Sequence, residues 1–206
     1  MELIYVSDPM CAWCWGFAEA FEQITLRLAK GVELRLVLGG LAADSDEPMP
    51  SATRSMVQAA WDAVEQRSGA RFNRDFWSRC APRRSTWPAC RAVHAARSLE
   101  PGADWRIFRA LQEAYYLEAR NPSDLQTLVE VAQEQGLDPK AFRAAVASTQ
   151  VQEAFQRDRK FCERIGMRAF PSLAVRQGGA VAPLTRGWRA FEQIEGDLLA
   201  RGLIRP

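Results

Sequence analysis

The sequence contains little lysine and almost no histidine. Lysine occurs only as Lys30, Lys140 and Lys160, and His94 is the single histidine. The 27 basic residues are therefore nearly all arginine, and the 25 acidic residues spread among them leave a net charge of +2. Proteins that bind nucleic acid through charge usually carry a basic block or arm, and this chain has neither. We expect no nucleic-acid partner.

Long apolar runs are also missing. A membrane helix needs about 20 consecutive apolar residues, and no run in the sequence approaches that length. The chain passes from Met1-Glu2 directly into the short apolar run 3–6, without the charged, apolar and small-residue regions of a secretory signal. We expect a cytoplasmic protein that has no membrane partner.

Cysteine is sparse as well. Such a small, odd-numbered set in a chain of 206 residues is not a disulfide scaffold, and a hydrophobic content of 48% can build a core without cross-links. Cys11 and Cys14 are distinguished by their close spacing. We interpret Cys80, Cys90 and Cys162 as ordinary buried residues, since free cysteine is commonly buried.

Apolar periodicity predicts a βαβ unit at the front of the chain. Residues 3–6 form a continuous apolar run that is typical of a strand buried on both faces. A helix is expected from about Cys14 to Gly31, with one apolar face formed by Phe17, Phe21, Ile24 and Leu28. Alternation over residues 34–38 then predicts a second strand, parallel to the first.

Apolar periodicity predicts helices in the middle of the chain, and a hairpin followed by a helix at its end. One helix is expected over residues 51–67, with Met56, Ala60 and Val64 on its buried face. Strands at 172–176 and 180–184 flank a Gly178-Gly179 turn. The order βαβ, helical block, ββα suggests one α/β unit made of residues 1–40 and 150–206, which carries a helical insertion at 41–149.

The segment Met10–Trp15 carries the chemistry. Cys11 follows a predicted strand and begins a predicted helix, so its sulfur should face free backbone N–H groups and the positive end of the helix dipole. Both features favour thiolate over thiol, and we therefore expect a lowered pKa for Cys11. Cys14, three residues later, is placed to attack a mixed disulfide formed on Cys11. This pattern predicts a redox pair.

Two other interpretations of the pair stay open. Two cysteines at this spacing can form half of a zinc site, which needs two further ligands. Cys80 and Cys90 are not at ligand spacing, and His94 lies in an alanine-rich helical pattern. The pair could also be two inert buried thiols, although packing alone gives no reason for a position at a helix start. We expect no metal and no bound cofactor.

Four segments together resemble the DsbA-like branch of the thioredoxin superfamily. They are Asp8–Gly16, Val37–Gly40, Thr86–Ala92 and Phe170–Leu173. The chain is most similar to the cytoplasmic DsbA-like proteins often labelled protein-disulfide isomerases. The resemblance implies an α/β, thioredoxin-like fold with a large helical insertion domain.

The resemblance also implies roles for individual residues. Cys11 matches the nucleophilic cysteine and Cys14 the buried resolving cysteine. Pro171 matches a proline that is cis in the family, and the backbone of Phe170 would pair with an extended substrate. Cys11 and Cys14 are thus the expected catalytic residues, and Phe170 and Pro171 the expected substrate-binding residues.

Trp13, Trp15 and Asp8 also lie near the pair in the sequence. Trp13 and Trp15 would bind substrate as an apolar wall around the site, although packing between the sheet and the insertion accounts equally well for Trp15. Asp8 is the one carboxylate near the pair that could move the proton of Cys14, but a turn-forming role is the simpler expectation.

The function expected is that of a thiol–disulfide oxidoreductase. No histidine lies between the two cysteines, so we expect a reductase or isomerase rather than a strong oxidant. Its substrate would be a disulfide-containing protein, peptide or small molecule, with a thiol donor such as glutathione or thioredoxin. One alternative is a glutathione-dependent transferase or isomerase of the kappa-class type, although such proteins typically carry serine at the position of Cys11. Another is a non-catalytic peptide-binding module.

Overall fold

Four strands form the centre of the computed structural model, which describes all 206 residues. They are β1 (Glu2–Ser7), β2 (Glu33–Leu38), β3 (Ser172–Gln177) and β4 (Ala180–Arg186), and their order in the sheet is β2-β1-β3-β4. β1 runs parallel to β2, and β3 runs antiparallel to both β1 and β4. The predicted parallel pair and the predicted hairpin are confirmed.

Ten α-helices surround this sheet. α1 (Ala12–Trp15) and α2 (Ala18–Leu26) connect β1 to β2. The block after β2 contains α3 (Ser51–Ser68), α4 (Phe76–Arg79), α5 (Trp87–Leu99), α6 (Ala103–Tyr116), α7 (Leu125–Glu134) and α8 (Pro139–Ala147). α9 (Thr149–Arg164) leads back to β3, and a 3-10 turn (Phe191–Gln193) and α10 (Glu195–Ala200) follow β4. None of these helices is both long and apolar enough to cross a membrane.

The arrangement is the α/β thioredoxin-like fold with a helical insertion that the resemblance implied. β1 lies inside the sheet, between β2 and β3, and its side chains Leu3, Ile4 and Val6 are fully buried. Burial of consecutive residues means that both faces of the strand are covered, as the continuous apolar run predicted. The chain segment that leaves the end of β1 therefore begins at the middle of the sheet.

The single helix expected after this segment is wrong in its bounds. The chain bends at Gly16-Phe17, so that α1 and α2 are separate helices. A Cβ atom on Gly16 would lie 2.6 Å from a Val64 methyl group of α3, so the close approach of α3 requires glycine here. The second helix ends at Leu26, before Gly31, and Leu28 instead forms a β-bridge with Ile204.

The buried face expected for the first insertion helix is correct at Val64 and wrong at Met56 and Ala60. Met56 is 58% exposed, whereas Val57, Trp61 and Val64 are the buried residues of α3. The helical period was correct, but Trp61 determines the face because its large ring lies among Phe72, Phe76, Trp77, Tyr115 and Tyr116. One cluster of 43 buried residues runs through the helical block and the sheet alike. The division at residues 40 and 150 stays a prediction.

Candidate active site

The two closely spaced cysteines lie where β1 meets α1. The backbone carbonyl of Asp8 accepts a hydrogen bond from the N–H of Cys11 at 3.1 Å, and its side-chain Oδ1 accepts one from the N–H of Met10 at 2.7 Å. Cys11 is the N-cap residue of α1, with an extended backbone at φ −85° and ψ 114°. The turn thus places Cys11 directly before the first helical turn. The hydrogen bond that the Asp8 side chain accepts from Met10 is the turn-forming role expected for Asp8.

Cys11 and Cys14 differ in their surroundings. Cys11 is 5% exposed and Cys14 is fully buried behind it. Burial raises the pKa of the Cys14 thiol well above its usual range, and a hydrogen bond with Cys11 and the charge of Cys11 raise it further. Ser7 and the backbone N–H of Asp8 offset part of this rise. Cys14 therefore holds its proton firmly, while Cys11 is the thiol that reaches the surface.

The loop before β3 completes the site from the other side. The peptide bond between Phe170 and Pro171 is cis, and Pro171 is buried. The Cys11 thiol lies 3.6 Å from the carbonyl oxygen of Phe170. The N–H of Phe170 makes no hydrogen bond within the chain. The carbonyl beside the Cys11 sulfur therefore belongs to a residue whose backbone N–H is free.

Gly39 determines where the Phe170 ring lies. A Cβ atom on Gly39 would lie 1.9 Å from Cζ and 2.2 Å from Cε1 of that ring. No side chain other than hydrogen fits this contact, so the ring packs directly on the backbone that follows β2. This close packing gives the Val37–Gly40 segment a physical role in the site.

The tryptophans near the pair have different environments. Trp13 is half-buried, and its ring centre lies 5.9 Å from that of Trp188, whose Nε1 donates to the carbonyl of Gly16 at 3.0 Å. Trp15 is 6% exposed and stacks on Tyr116 at 5.5 Å. Packing between sheet and insertion, one of the two roles considered for Trp15, describes its position.

Asp8 has a larger structural role than its turn suggests. It is fully buried, and its Oδ2 accepts hydrogen bonds from the N–H of Leu41 at 2.8 Å and the hydroxyl of Thr86 at 2.6 Å. The Cys90 thiol lies 3.6 Å from the same oxygen. Burial raises the pKa of Asp8, and the bonds from Thr86 and Leu41 partly oppose this. Asp8 thereby joins the turn to the loop after β2 and to α5, and none of its carboxylate bonds reaches Cys14.

Sequence reasoning missed two polar residues behind the pair. Tyr5 and Ser7 are buried on β1; Ser7 lowers the pKa of Cys14, and Cys14 adds to the raised pKa of Tyr5. The Ser7 hydroxyl has no hydrogen bond of good geometry in the chain. Strand alternation was the available signal, because residues two apart point to the same face. Tyr5 and Ser7 thus share the face that meets Cys14.

The remaining cysteines form no bond with Cys11 or Cys14, although Cys90 contacts Asp8, and the expectation that all three are buried is wrong for Cys80. Cys90 and Cys162 are buried, and burial raises the pKa of Cys162 to about 12. Cys80 is partly exposed, and its thiol donates to the carbonyl of Ala119 at 3.1 Å. No three His, Cys, Asp or Glu side chains are grouped so that they could hold a metal ion.

Comparison with known proteins gives matches along nearly the whole chain. Residues 4–180 match a family model described as thioredoxin. Among curated proteins, the ClpXP adapter protein SpxH of Bacillus subtilis is 22% identical over 97% of this chain and 68% of its own length. The chain covers between 56% and 68% of the first four such adapters.

Two solved structures are closely similar over their full length. A candidate protein disulfide isomerase from Nitrosomonas europaea superposes with a TM-score of 0.85 at 26% identity, covering 97% of this chain and 98% of that one. The cytosolic disulfide reductase DsbM from Pseudomonas aeruginosa gives 0.77 at 25% identity, covering 98% and 93%. DsbM has also been solved with GSH.

Proposed function

The chain belongs to the thioredoxin family, and from this we propose that it is a thiol–disulfide oxidoreductase that reduces or isomerises disulfides. Cys11 is the nucleophile and Cys14 is the resolving thiol. The observation that carries this proposal is the contrast between them. Cys11 begins a helix at the surface beside the Phe170 carbonyl, whereas Cys14 is buried directly behind it and keeps its proton.

The reaction takes place in two exchange steps. The Cys11 thiolate attacks one sulfur of the substrate disulfide, which forms a mixed disulfide and releases the other substrate sulfur as a thiolate. Cys14 then loses its proton and attacks the Cys11 sulfur, which releases the second substrate thiolate and leaves a Cys11–Cys14 disulfide. The substrate gains two electrons and the protein loses two. A thiol donor restores the pair by the same exchange in reverse.

The substrate binds along the loop before β3. The N–H of Phe170 is free, and its carbonyl stands 3.6 Å from the Cys11 sulfur. An extended peptide can pair with these two groups as an added strand, which brings its own disulfide to Cys11. The half-buried Trp13, next to Trp188, offers an apolar surface on the other side of the sulfur. The proposed substrate is therefore an extended, disulfide-containing segment.

Reduction is the favoured direction. Ala12 and Trp13 place no histidine between the cysteines, and the similar protein DsbM is named as a cytosolic disulfide reductase. Because DsbM has been solved with GSH, we propose glutathione as the thiol donor and the cytoplasm as the compartment. A reduction potential near about −120 mV, that of a strong oxidant, would contradict this direction.

Thiol trapping across glutathione redox buffers tests the function. All variants carry Cys80→Ser, because Cys80 is the partly exposed thiol outside the site. The parent should form a reversible Cys11–Cys14 disulfide, Cys14→Ser should accumulate a mixed disulfide on Cys11, and Cys11→Ser should form neither. Cys162→Ser, which removes a buried thiol elsewhere, is the matched control and should behave as the parent.

The same experiment separates two other functions. A reactive Cys11 that never pairs with Cys14 would point to a glutathione-dependent transferase or isomerase. Two unreactive thiols would remove the catalytic proposal and leave a binding module, which the similarity to SpxH adapters favours as the second candidate. A gene deletion whose cellular phenotype is fully restored by the Cys11→Ser, Cys14→Ser double variant would support the binding module.

A further inference from the structure

The proposed reaction requires Cys14 to release a proton from a fully buried position. Its thiol has 0% exposure, and the carboxylate of Asp8 is engaged by Leu41, Thr86 and Cys90. No carboxylate side chain forms a hydrogen bond with Cys14. The path by which this proton leaves must therefore involve other groups.

A cavity that Cys14 lines, and that Phe170 does not, supplies such a path. Its volume is about 490 Å³, and it lies between α2 and α6. The buried Tyr5 and Cys14 line its inner part, and the exposed Glu19 and Glu22 of α2 line its mouth. The cavity therefore extends from the wall that holds Tyr5 and Cys14 towards solvent, and Cys11, Phe170 and Pro171 do not line it.

The inner wall of this cavity is built to hold a polar molecule. Gln112 of α6 lines it and is 1% exposed, and its Nε2 has no hydrogen-bond partner in the chain. Tyr5 lines the same cavity as Cys14. The Tyr5 ring is held in place by stacking on Phe21 at 4.4 Å. A buried amide without a partner costs free energy, and ordered water normally satisfies such a group.

Resting on the proposed function, we propose that the Cys14 proton leaves through this cavity, by way of the Tyr5 hydroxyl and a water molecule held by Gln112. The Tyr5 oxygen accepts the proton of Cys14 as its own proton passes to the water. The Cys14 thiolate then uses its electron pair to form the bond to the Cys11 sulfur. The bond between Cys11 and the substrate breaks, and the leaving substrate thiolate takes up a proton from solvent.

Tyr5 is a catalytic residue in this scheme, because it would take the proton directly from the reacting thiol, and Gln112 is a positioning residue. The charged groups that line the cavity are Glu19 and Glu22 from α2 and Arg109 from α6. All three side chains come from the cavity's outer walls. Tyr5 is therefore the one buried titratable side chain that shares the cavity with Cys14.

Rapid mixing of the reduced protein with a peptide disulfide tests the path. Acid quenching and mass spectrometry separate the formation of the mixed disulfide from its resolution by Cys14. Tyr5→Phe should slow resolution about 10- to 100-fold. This is at or below the lower end of the contribution of a positioned acid–base group, about 100-fold to 10,000-fold. Gln112→Leu, which replaces the amide with an apolar group of similar size, should slow it as well. In the Cys14→Ser background, Tyr5→Phe should leave the first step unchanged.

A solvent deuterium isotope effect distinguishes proton transfer from a structural effect. It should be larger in Tyr5→Phe than in the parent, because departure of the proton becomes the slow step. Tyr115→Phe is the matched control, since it removes another buried tyrosine hydroxyl that lies outside the cavity. Its resolution rate should equal that of the parent.

The outcomes separate the two proposals. If Tyr5→Phe resolves the mixed disulfide at the parent rate, or shows the parent's isotope effect, the proton path is wrong and the redox function stands. If the Cys14→Ser variant forms no mixed disulfide at all, the proposed function itself fails.

Discussion

Replacement of Gly39 by alanine should separate substrate binding from the reactivity of Cys11. The added Cβ would lie 1.9 Å from the edge of the Phe170 ring, whereas ordinary contacts begin near 3.4 Å. The ring must therefore move by about 1.5 Å or rotate away. Since the backbone of Phe170 is the proposed docking strand, this movement disturbs the groups that pair with substrate.

The structure sets the size of the loss in stability and of the loss in kcat/KM. The clash involves the end of a half-buried side chain, so the stability cost should be about 1 kcal/mol, part of the 1.5–3 kcal/mol for burying a whole phenylalanine. For a chain of this size that lowers Tm by about 2–4 °C. A misplacement of about 1 Å at a reacting centre can cost about 100-fold in rate. We expect kcat/KM for a peptide disulfide to fall about 10- to 100-fold.

Three measurements on Gly39→Ala test this reasoning. They are kcat/KM with the peptide, Tm by calorimetry, and the alkylation rate of Cys11 by iodoacetamide, which needs no contact with Phe170 and should stay unchanged. Gly196→Ala in α10, whose Cβ would meet nothing within 4 Å, is the control. Full turnover of the peptide by Gly39→Ala would refute the role of the Phe170 loop, and an equal loss of alkylation would show that the damage reached Cys11 itself.

Two further substitutions address the supports of the site. Burial raises the pKa of Asp8, so the folded chain binds a proton there more tightly than the unfolded chain. The contribution of Asp8 therefore lowers the free energy of unfolding as the pH rises above about 4. In urea unfolding between pH 4 and 7, Asp8→Asn should remove this pH dependence of the free energy of unfolding. The variant should also lose about 1–3 kcal/mol of stability from the Leu41 and Thr86 contacts. An unchanged pH dependence would contradict the raised pKa of Asp8. Trp188→Phe removes the hydrogen bond to Gly16 and should cost about 1 kcal/mol, seen as a Tm about 2–4 °C lower. An unchanged Tm would mean that this bond does not stabilise α1.

The local features of this protein were predictable from its sequence. Continuous apolar residues indicated β1, and a glycine pair between two short apolar runs indicated the hairpin of β3 and β4. The position of Cys11 at the junction of a strand and a helix depends on neighbouring residues alone. For that reason the pair could be identified without any knowledge of the tertiary structure.

Periodicity was less informative where two faces of a helix competed. In α3 the expected face was correct at Val64 but shifted by one residue at its other two positions, because Trp61 is buried by aromatic rings from α4 and α6 that lie far along the chain. The bend at Gly16 was missed for a related reason. Its cause is the close approach of Val64, almost fifty residues away.

Only the tertiary structure could show how the site is completed. Asp8 meets Thr86 and Cys90, Gly39 meets Phe170, and Cys11 meets the carbonyl of Phe170 across 159 positions of sequence. Short-range patterns report backbone conformation and burial, and they contain no record of which distant segment packs against a given side chain. The sequence alone thus determined the positions of the two cysteines at a junction of strand and helix, and the packing of distant segments decided which thiol is fully buried and which carbonyl lies beside the other.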